Sequence, residues 1–212
     1  MSTGRRRWRE NLFQTALARF RDQQMLGLRK HKFRFKNKLL SLDSATITLC
    51  LNLFPWAKFR RAQCGVTAHV LLDHDDYLPA YVLLTEAKRS DAKLADAFTL
   101  NPGSIVAMDR GYNDHALFGR WTKAGVFFVT RLKDDAVFEV VEKREPPQKS
   151  QIISDQIIRL TNAKAQADCP CLLRRVLVWD PDQERAIDLL TNLLEFGAAT
   201  IAAIYKDRWQ IE

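Results

Sequence analysis

Residues 105–130, IVAMDRGYNDHALFGRWTKAGVFFVT, decide the fold class, because they read as a strand, a helix and a second strand. Ile105–Met108 is short and wholly apolar, which is typical of a strand buried on both faces. Asp114 supplies a helix start and Gly125 a helix stop, and the apolar stretch after Gly125 is the second strand. This unit predicts an α/β protein whose two strands share one sheet.

The flanking segments extend that sheet. Residues 39–51 (LLSLDSATITLCL) predict a long strand, and residues 66–72 and 81–85 predict an antiparallel hairpin around the turn HDDYLP. A capped helix is expected over residues 90–101, and a last helix over residues 198–212. We therefore expect a mixed sheet flanked by helices.

The sequence pattern changes at about residue 134. Short β-prone pieces alternate with prolines as far as residue 186, which predicts a β-rich insertion over residues 134–186. The chain then divides into a basic N-terminal helix and arm (1–38) and a core made of residues 39–133 and 187–212. Trp179 is expected to be a buried residue of an insertion strand, and stacking on a displaced base is the alternative.

Composition excludes several classes of protein. Of 212 residues, 47% are hydrophobic and 27% charged, as in ordinary globular chains. No apolar run approaches the roughly 20 residues of a membrane span, and no apolar stretch follows the basic start MSTGRRRWRE as in a signal peptide. The four cysteines are scattered, and Cys169 and Cys171 lack the second pair of a zinc site. These features predict a cytoplasmic protein without a membrane anchor.

Charge is concentrated at the start of the chain. Residues 1–40 hold twelve basic and two acidic residues, so their net charge is +10. The rest of the chain has a net charge of −2, which gives the whole chain its net charge of +8. A cationic leader suits binding to phosphate backbones, because each cation releases a counterion. The alternative is a solvated basic arm that binds nothing specific. We expect nonspecific phosphate contacts from the leader's cations: Arg5, Arg6, Arg7, Lys32, Arg34, Lys36 and Lys38.

Three acidic residues are candidates for chemistry. Asp43 interrupts an apolar strand, where burial without a partner is costly, and pairing with an arginine is the alternative. Asp109 follows a buried strand at its carboxyl end, where open sheets bind ligands, and a turn-forming role is the alternative. Tyr205, Arg208 and Glu212 fall within about 60° of one helical face. The alternative there is an exposed Arg208–Glu212 pair.

Three blocks resemble the signature of bacterial insertion-sequence transposases of the DDE type: LDSATITLCLNLFPW (42–56), AMDRGYND (107–114) and YKDRWQIE (205–212). The third block is similar to the subgroup pattern Y-x-x-R-x-x-x-E-x-x-x-x-x-x-K. The resemblance implies a ribonuclease-H-like mixed sheet flanked by helices, with a β-rich insertion before the last helix. It also implies metal-dependent DNA cleavage and strand transfer.

By this resemblance, Asp43, Asp109 and Glu212 are the catalytic, metal-binding triad for two Mg²⁺ ions, with Mn²⁺ as a substitute. Such ions, about 3.5–4 Å apart, stabilise charge on the attacking and leaving oxygens of an in-line displacement. DNA contacts are expected from four residues of the second and third blocks: Tyr205, Arg208, Arg110 and Lys206.

The expected partner is double-stranded DNA, at element ends and at the target, bound by a homodimer in the bacterial nucleoid. The chain ends at Glu212, before the lysine that the subgroup pattern has seven residues later, and 42 residues precede Asp43. We therefore expect a truncated transposase that is weak or inactive as given. The alternative is a non-catalytic DNA-binding remnant.

Overall fold

The computed structural model of this chain describes residues 33–49, 58–59, 63–86 and 98–209, together with Thr15 and Arg19. The predicted N-terminal helix lies outside the described residues, apart from Thr15 and Arg19. Residues 90–97 of the helix predicted over residues 90–101 also lie outside them, as does Glu212, and residues 98–101 are not helical.

The first half of the described chain contains the strands that the sequence predicts and one further strand of two residues, Lys58–Phe59. In order, they are β1 (Leu39–Leu49), β2 (Lys58–Phe59), β3 (Gln63–Asp73), β4 (Pro79–Glu86) and β5 (Ile105–Met108). A 3₁₀ turn at Arg110–Tyr112 leads to helix α1 (His115–Lys123) and strand β6 (Phe127–Arg131). The predicted bounds of β5 agree with the structure residue for residue.

The second half adds four strands and two helices. These are β7 (Phe138–Arg144), β8 (Ile152–Leu160), α2 (Ala163–Asp168), β9 (Leu173–Asp180), β10 (Arg185–Thr191) and α3 (Ala198–Arg208). Helix α2 was not predicted, because its six residues carry no apolar stripe. Its start is nevertheless signalled by Asn162, whose side chain accepts hydrogen bonds from the backbone N–H groups of Lys164 and Ala165.

The described strands form one sheet in the order β2-β3-β1-β5-β6-β10-β9-β8-β7, with β4 also paired to β3. Strand β3 is antiparallel to β1 and β4, whereas β5 is parallel to both β1 and β6. Three antiparallel strands followed by two that are parallel to the first are the ribonuclease-H-like arrangement expected from the resemblance. Strand β10 pairs with both β6 and β9, so the strands of the 134–186 segment continue the core sheet.

Strand β5 separates two hydrophobic cores, because its side chains alternate between the two faces of the sheet. Val106 and Met108 belong to the core under α1, where the rings of Phe118 and Phe128 stack 4.2 Å apart. Ile105 and Ala107 belong to the core under α3. Burying each large apolar side chain contributes about 1.5–3 kcal/mol, so both helices are held firmly against this strand.

Trp179 differs from its prediction. Its side chain is 43% exposed, so the expectation of a buried tryptophan is wrong. Trp179 lies near the end of β9 opposite Ala186 of β10, whose methyl group is too small to cover an indole ring. Among the described helices, none is long and apolar enough to cross a membrane.

Candidate active site

The parallel pairing of β1 with β5 places Asp43 next to Asp109. The register between β1 and β5 pairs Leu42 with Met108, and an aspartate is the next residue on each strand. Asp43 continues the face of β1 that carries Leu39, and Leu39 packs in the core under α3. Because neighbouring strands are about 4.8 Å apart, the two aspartates lie side by side at the edge of the sheet where β5 ends, and β1 continues past this point to Leu49.

Asp43 is held by helix α3. Its Oδ2 accepts a hydrogen bond from Arg208 Nη1 at 3.3 Å, and its Oδ1 accepts one from the backbone N–H of Ser44 at 2.8 Å. The Arg208 side chain is 4% exposed, whereas Asp43 is 27% exposed. Asp43 is therefore paired with an arginine, which is the alternative that the sequence left open, and its carboxylate still reaches solvent.

Asp109 shapes the turn that follows β5. Its Oδ1 accepts a hydrogen bond from the backbone N–H of Gly111 at 2.9 Å, which caps the 3₁₀ turn. The other carboxylate oxygen makes no hydrogen bond to any residue in the described ranges. Asp109 is thus a turn-forming residue whose second oxygen remains available to a ligand.

Buried polar contacts fix this turn from below. Tyr112 Oη and His69 Nδ1 are 2.8 Å apart, and both residues are almost fully buried. Asn113 Nδ2 donates to the carbonyl of Arg131 at 2.7 Å, which ties the turn to β6. The position of Asp109 is therefore set by contacts of its turn with β3 and β6 and by β5 itself.

Tyr205 lies one turn before Arg208 on α3, with its ring centroid 5.5 Å from the Arg208 guanidinium carbon. Its Oη is buried and makes no hydrogen bond to the part of the chain that is described. Burial raises the pKa of Tyr205, an effect that the charges of Arg208 and Arg131 oppose and that of Asp109 reinforces. The hydroxyl consequently stays protonated at neutral pH and can donate a hydrogen bond.

The other predicted DNA contacts are exposed. Arg110 Nη1 lies 3.2 Å from Asp134 Oδ2, and Lys206 Nζ lies 3.0 Å from Asp182 Oδ2. The contact with Asp182 raises the pKa of Lys206. Both cations lie on the surface, whereas Tyr205 and Arg208 lie beneath it.

Only part of the basic leader lies within the described residues. Arg34, Lys36 and Lys38 are exposed and alternate with the half-buried Phe33 and Phe35, as the sequence pattern indicates. The remaining leader cations predicted to contact phosphate are Arg5, Arg6, Arg7 and Lys32, and these lie outside the described residues.

Lys38 is engaged on the protein itself. Its Nζ contacts Asp73 at 2.5 Å and Asp75 at 2.6 Å. Partial burial opposes the charged form, but the hydrogen bonds to these two acids raise the pKa of Lys38. Its charge is therefore partly neutralised before any nucleic acid binds.

Three buried polar residues near the site escaped the sequence analysis. His74 Nδ1 contacts Asp207 Oδ2 at 2.8 Å, and His74 Nε2 contacts Ser41 Oγ at 2.6 Å. Asp207 adjoins Arg208 on α3, and Ser41 lies two residues before Asp43 on β1. The only sequence signal for these contacts was Asp207, an aspartate within a largely apolar helix. The sequence around His74 predicted only a turn.

A cavity of about 230 Å³ opens beside the same helix. It lies between α3 and the strands of the 134–186 segment, and its walls include Val178, Trp179, Leu189, Ala202, Tyr205 and Trp209. Its lining is mostly apolar, so it differs in chemistry from the carboxylate edge at Asp43 and Asp109.

The donor set at this edge fits a hard divalent cation. Mg²⁺ prefers carboxylate oxygens and keeps several water ligands, so a few carboxylates are enough. Asp43 and Asp109 supply two such groups on neighbouring strands. No cluster of three or more histidine, cysteine or acidic side chains that could hold a metal occurs within the described ranges, and Glu212 lies outside them.

Comparison with known proteins finds relatives of this chain by sequence and by structure. Residues 34–212 match the family model described as the transposase DDE domain. The chain is 35% identical over 178 residues to y4zB of Sinorhizobium fredii, covering 81% of this chain and 48% of the relative. It is 30% identical over 184 residues to the protein of insertion sequence element IS5377 from Geobacillus stearothermophilus, covering 86% and 48%. Both relatives carry transposase names, and the chain spans about half of their length.

Two solved structures resemble the chain more remotely. The piggyBac transposase, in a synaptic complex with hairpin DNA, aligns with 82% of this chain and 38% of its own at 9% identity and a TM-score of 0.47. The NurA nuclease of Sulfolobus solfataricus aligns with 93% and 82% at 8% identity and a TM-score of 0.36.

The sequence matches therefore carry the assignment. The matched residues include Asp43 on β1, the turn at Asp109 and the helix that carries Tyr205 and Arg208. Members of this family use divalent metal ions, which agrees with the two carboxylates at the sheet edge. With a family match over residues 34–212 and two relatives at 30% identity or more, this chain belongs to the transposase DDE domain family.

Proposed function

We propose that this chain is the catalytic part of an insertion-sequence transposase, which cleaves DNA at element ends and transfers the cut strand to a target. The observation that supports the proposal is the adjacency of Asp43 and Asp109 at one sheet edge, with Arg208 of α3 bonded to Asp43. We assign the chain to the subgroup with the Y-x-x-R-x-x-x-E pattern, which residues 205–212 carry.

In this proposal, Asp43, Asp109 and Glu212 hold two Mg²⁺ ions, and Mn²⁺ substitutes for them. When bound, such ions lower the pKa of a water nucleophile and stabilise charge on the attacking and leaving oxygens. The backbone N–H of Gly111 fixes one oxygen of Asp109, so the carboxylate presents its other oxygen without a further loss of rotational freedom.

Arg208 and Tyr205 have two tasks at this edge. Arg208 orients the Asp43 carboxylate and offsets its charge, because two neighbouring carboxylates repel each other and would also repel a DNA phosphate. Tyr205 keeps its hydroxyl proton, so it can donate to a phosphate oxygen that reaches the floor of the site. Arg110 and Lys206 are the surface cations that contact the DNA backbone on either side.

The wider assignments follow from the same proposal. Residues 39–133 and 187–212 form the catalytic core, residues 134–186 the insertion, and residues 1–38 a basic arm that binds phosphates. The substrate is double-stranded DNA, held by a homodimer in the bacterial cytoplasm.

Metal binding provides the first test. Millimolar MnCl₂ or MgCl₂ is expected to raise the melting temperature of the wild-type chain, because a ligand that binds only the folded state stabilises it. Asp109→Asn is expected to abolish the shift while preserving the turn, since an amide oxygen can still accept from Gly111 N. Glu139→Gln, which makes the same change of charge on the distant edge strand β7, should keep the full shift.

Activity on DNA separates the catalytic reading from the DNA-binding remnant. We expect this chain to show at most weak Mg²⁺-dependent nicking of element-end DNA, and Asp43→Asn and Asp109→Asn should both lose it. A chain that binds DNA in a salt-dependent way, yet shows neither metal-induced stabilisation nor nicking, would be the remnant. Deleting residues 1–38 should flatten the slope of log affinity against log salt concentration, because up to twelve cations are removed.

A further inference from the structure

A continuous set of buried hydrogen bonds joins three distant segments of the chain. Ser41 lies on β1, His74 directly follows β3, and Asp207 lies in the last turn of α3. The contacts are 2.6 Å from Ser41 Oγ to His74 Nε2 and 2.8 Å from His74 Nδ1 to Asp207 Oδ2. We call these three residues the strand–helix tie.

The tie has the connectivity of a nucleophilic Ser–His–Asp triad, but it cannot act as one. Ser41 has no exposed surface, and it pairs with Leu72 of β3 on one side and with Ala107 of β5 on the other. A serine enclosed in the centre of a sheet cannot attack a substrate, since attack requires access to the hydroxyl. The tie is therefore a holding device.

The geometry of the tie indicates what it holds. Ser41 and Asp43 lie two residues apart on one face of β1, and Asp207 and Arg208 are adjacent on α3. Asp207 reaches Ser41 through His74, and Arg208 reaches Asp43 directly. Two attachments between one helical turn and one strand face fix both the rotation and the translation of the helix, which a single attachment cannot do.

The chemistry of the tie suits a permanent contact. A carboxylate only accepts hydrogen bonds, so His74 Nδ1–H donates to Asp207. The Ser41 hydroxyl donates to His74 Nε2 when the ring is neutral and accepts from it when the ring is charged. The side chains of His74 and Asp207 are 5% and 1% exposed, so breaking the tie would leave buried polar groups unsatisfied. Such groups favour one arrangement of the helix end over any shifted alternative.

We propose that His74 and Asp207 are positioning residues of the transposase site, an inference that rests on the proposed function. They hold the last turn of α3 in register with β1, so that Arg208 meets Asp43 and Tyr205 stays beneath the carboxylates. The same turn sets the point from which the chain continues toward Glu212, so its register matters to all three proposed metal ligands.

The test compares His74→Gln and Asp207→Asn with Asn192→Ala. Asn192 is also buried and makes several hydrogen bonds, but these contact Val126 and Phe128 near the start of β6, at the opposite edge of the sheet from Asp109. We expect all three variants to lose stability. Only the two tie variants should weaken Mn²⁺ binding at a temperature where every protein is folded, by at least about fivefold, which corresponds to about 1 kcal/mol.

A second measurement does not depend on metal. Amide hydrogen exchange in the tie variants should accelerate at least tenfold over residues 204–208, while the first turn of α3 and the amides of β6 change in step with global stability. Ser41→Ala, which removes a single oxygen, is the milder variant should His74→Gln fail to fold. It is expected to show the same local pattern with a smaller amplitude.

The outcomes separate the two proposals. If the wild-type chain binds no Mn²⁺, the proposed function fails. The hydrogen-exchange profile still shows whether the strand–helix tie holds the end of α3 in place. Acceleration confined to residues 204–208 supports positioning. A uniform rise in exchange over the whole sheet, or tie variants that bind Mn²⁺ as tightly as Asn192→Ala, overturns it.

Discussion

Two arginine–aspartate pairs, one before the start of helix α3 and one at its end, are built differently. Arg174 joins Asp155 through two parallel contacts, Nε to Oδ1 at 2.8 Å and Nη2 to Oδ2 at 2.6 Å, and each side chain is 4% exposed. Arg208 joins Asp43 over 3.3 Å, and that carboxylate is 27% exposed. The first pair is sealed, whereas the second leaves its acid within reach of solvent.

The remaining contacts of Arg174 explain why its pair can be sealed. Its Nη1 also donates to the carbonyls of Leu194 and Phe196, in the loop that enters α3. A buried ion pair is tolerated only when further hydrogen bonds satisfy its remaining donors and acceptors, and Arg174 meets that condition. The comparison teaches that the pair at the helix start serves the fold, whereas the pair at the helix end keeps a carboxylate accessible.

The largest expected effect tests the sealed pair. Arg174→Ala leaves a buried carboxylate without its cation, so it should cost about 3–5 kcal/mol of unfolding free energy in urea titrations. Arg175→Ala is the matched control, because both members of its pair are partly exposed, by 21% and 29%. Water can hydrate Asp188 once the guanidinium is gone, so the loss should be smaller than in Arg174→Ala. Equal losses in the two variants would contradict the distinction.

Arg208→Ala tests the accessible pair. Because water can hydrate Asp43 once the guanidinium is gone, the loss should be smaller, about 1.5–3 kcal/mol. Millimolar MnCl₂ should restore part of the lost melting temperature, since a bound cation replaces the missing positive charge beside Asp43. Arg174→Ala keeps the proposed metal ligands, so the same salt should raise its melting temperature only by the wild-type amount. A shift larger than the wild-type amount in both variants would remove the difference between the pairs.

The buried contact between Tyr112 and His69 allows a third comparison of unfolding free energies. Tyr112→Phe removes the hydroxyl that contacts His69 Nδ1 beneath the Asp109 turn, and it should cost about 1 kcal/mol in urea titrations. Tyr81→Phe, at a site 41% exposed, should leave the unfolding free energy unchanged. A loss at Tyr112 as large as that at Arg174 would show that burial, and not charge, sets the cost.

The smallest expected effect concerns a half-exposed charge. Partial burial, and then the charge of Lys133, lowers the pKa of His115 below its usual value of 6.5. The unfolded chain therefore binds a proton more readily, and stability should fall as the pH drops below about 6.5. His115→Gln should show a smaller fall in melting temperature between pH 7.5 and pH 5, and an identical fall would exclude this contribution.

Much of the fold could be predicted because its signals are local. The apolar run at residues 105–108, the Asp114 cap and the β1 segment each predict their element without any distant information. The two aspartates were found because each interrupts or ends such a run. Helix α2 was missed because six residues without an apolar stripe carry little periodic signal.

The sequence by itself determined most of the elements, their order and the chemical character of their ends, because these depend on propensity and periodicity within a few residues. Only the tertiary structure decided that β1 lies beside β5, so that Asp43 and Asp109 meet, and that His74 joins Ser41 to Asp207. It also decided which arginine is sealed and which carboxylate stays accessible. Burial and partnership are properties of packed neighbours from distant segments, and no local pattern along the chain encodes them.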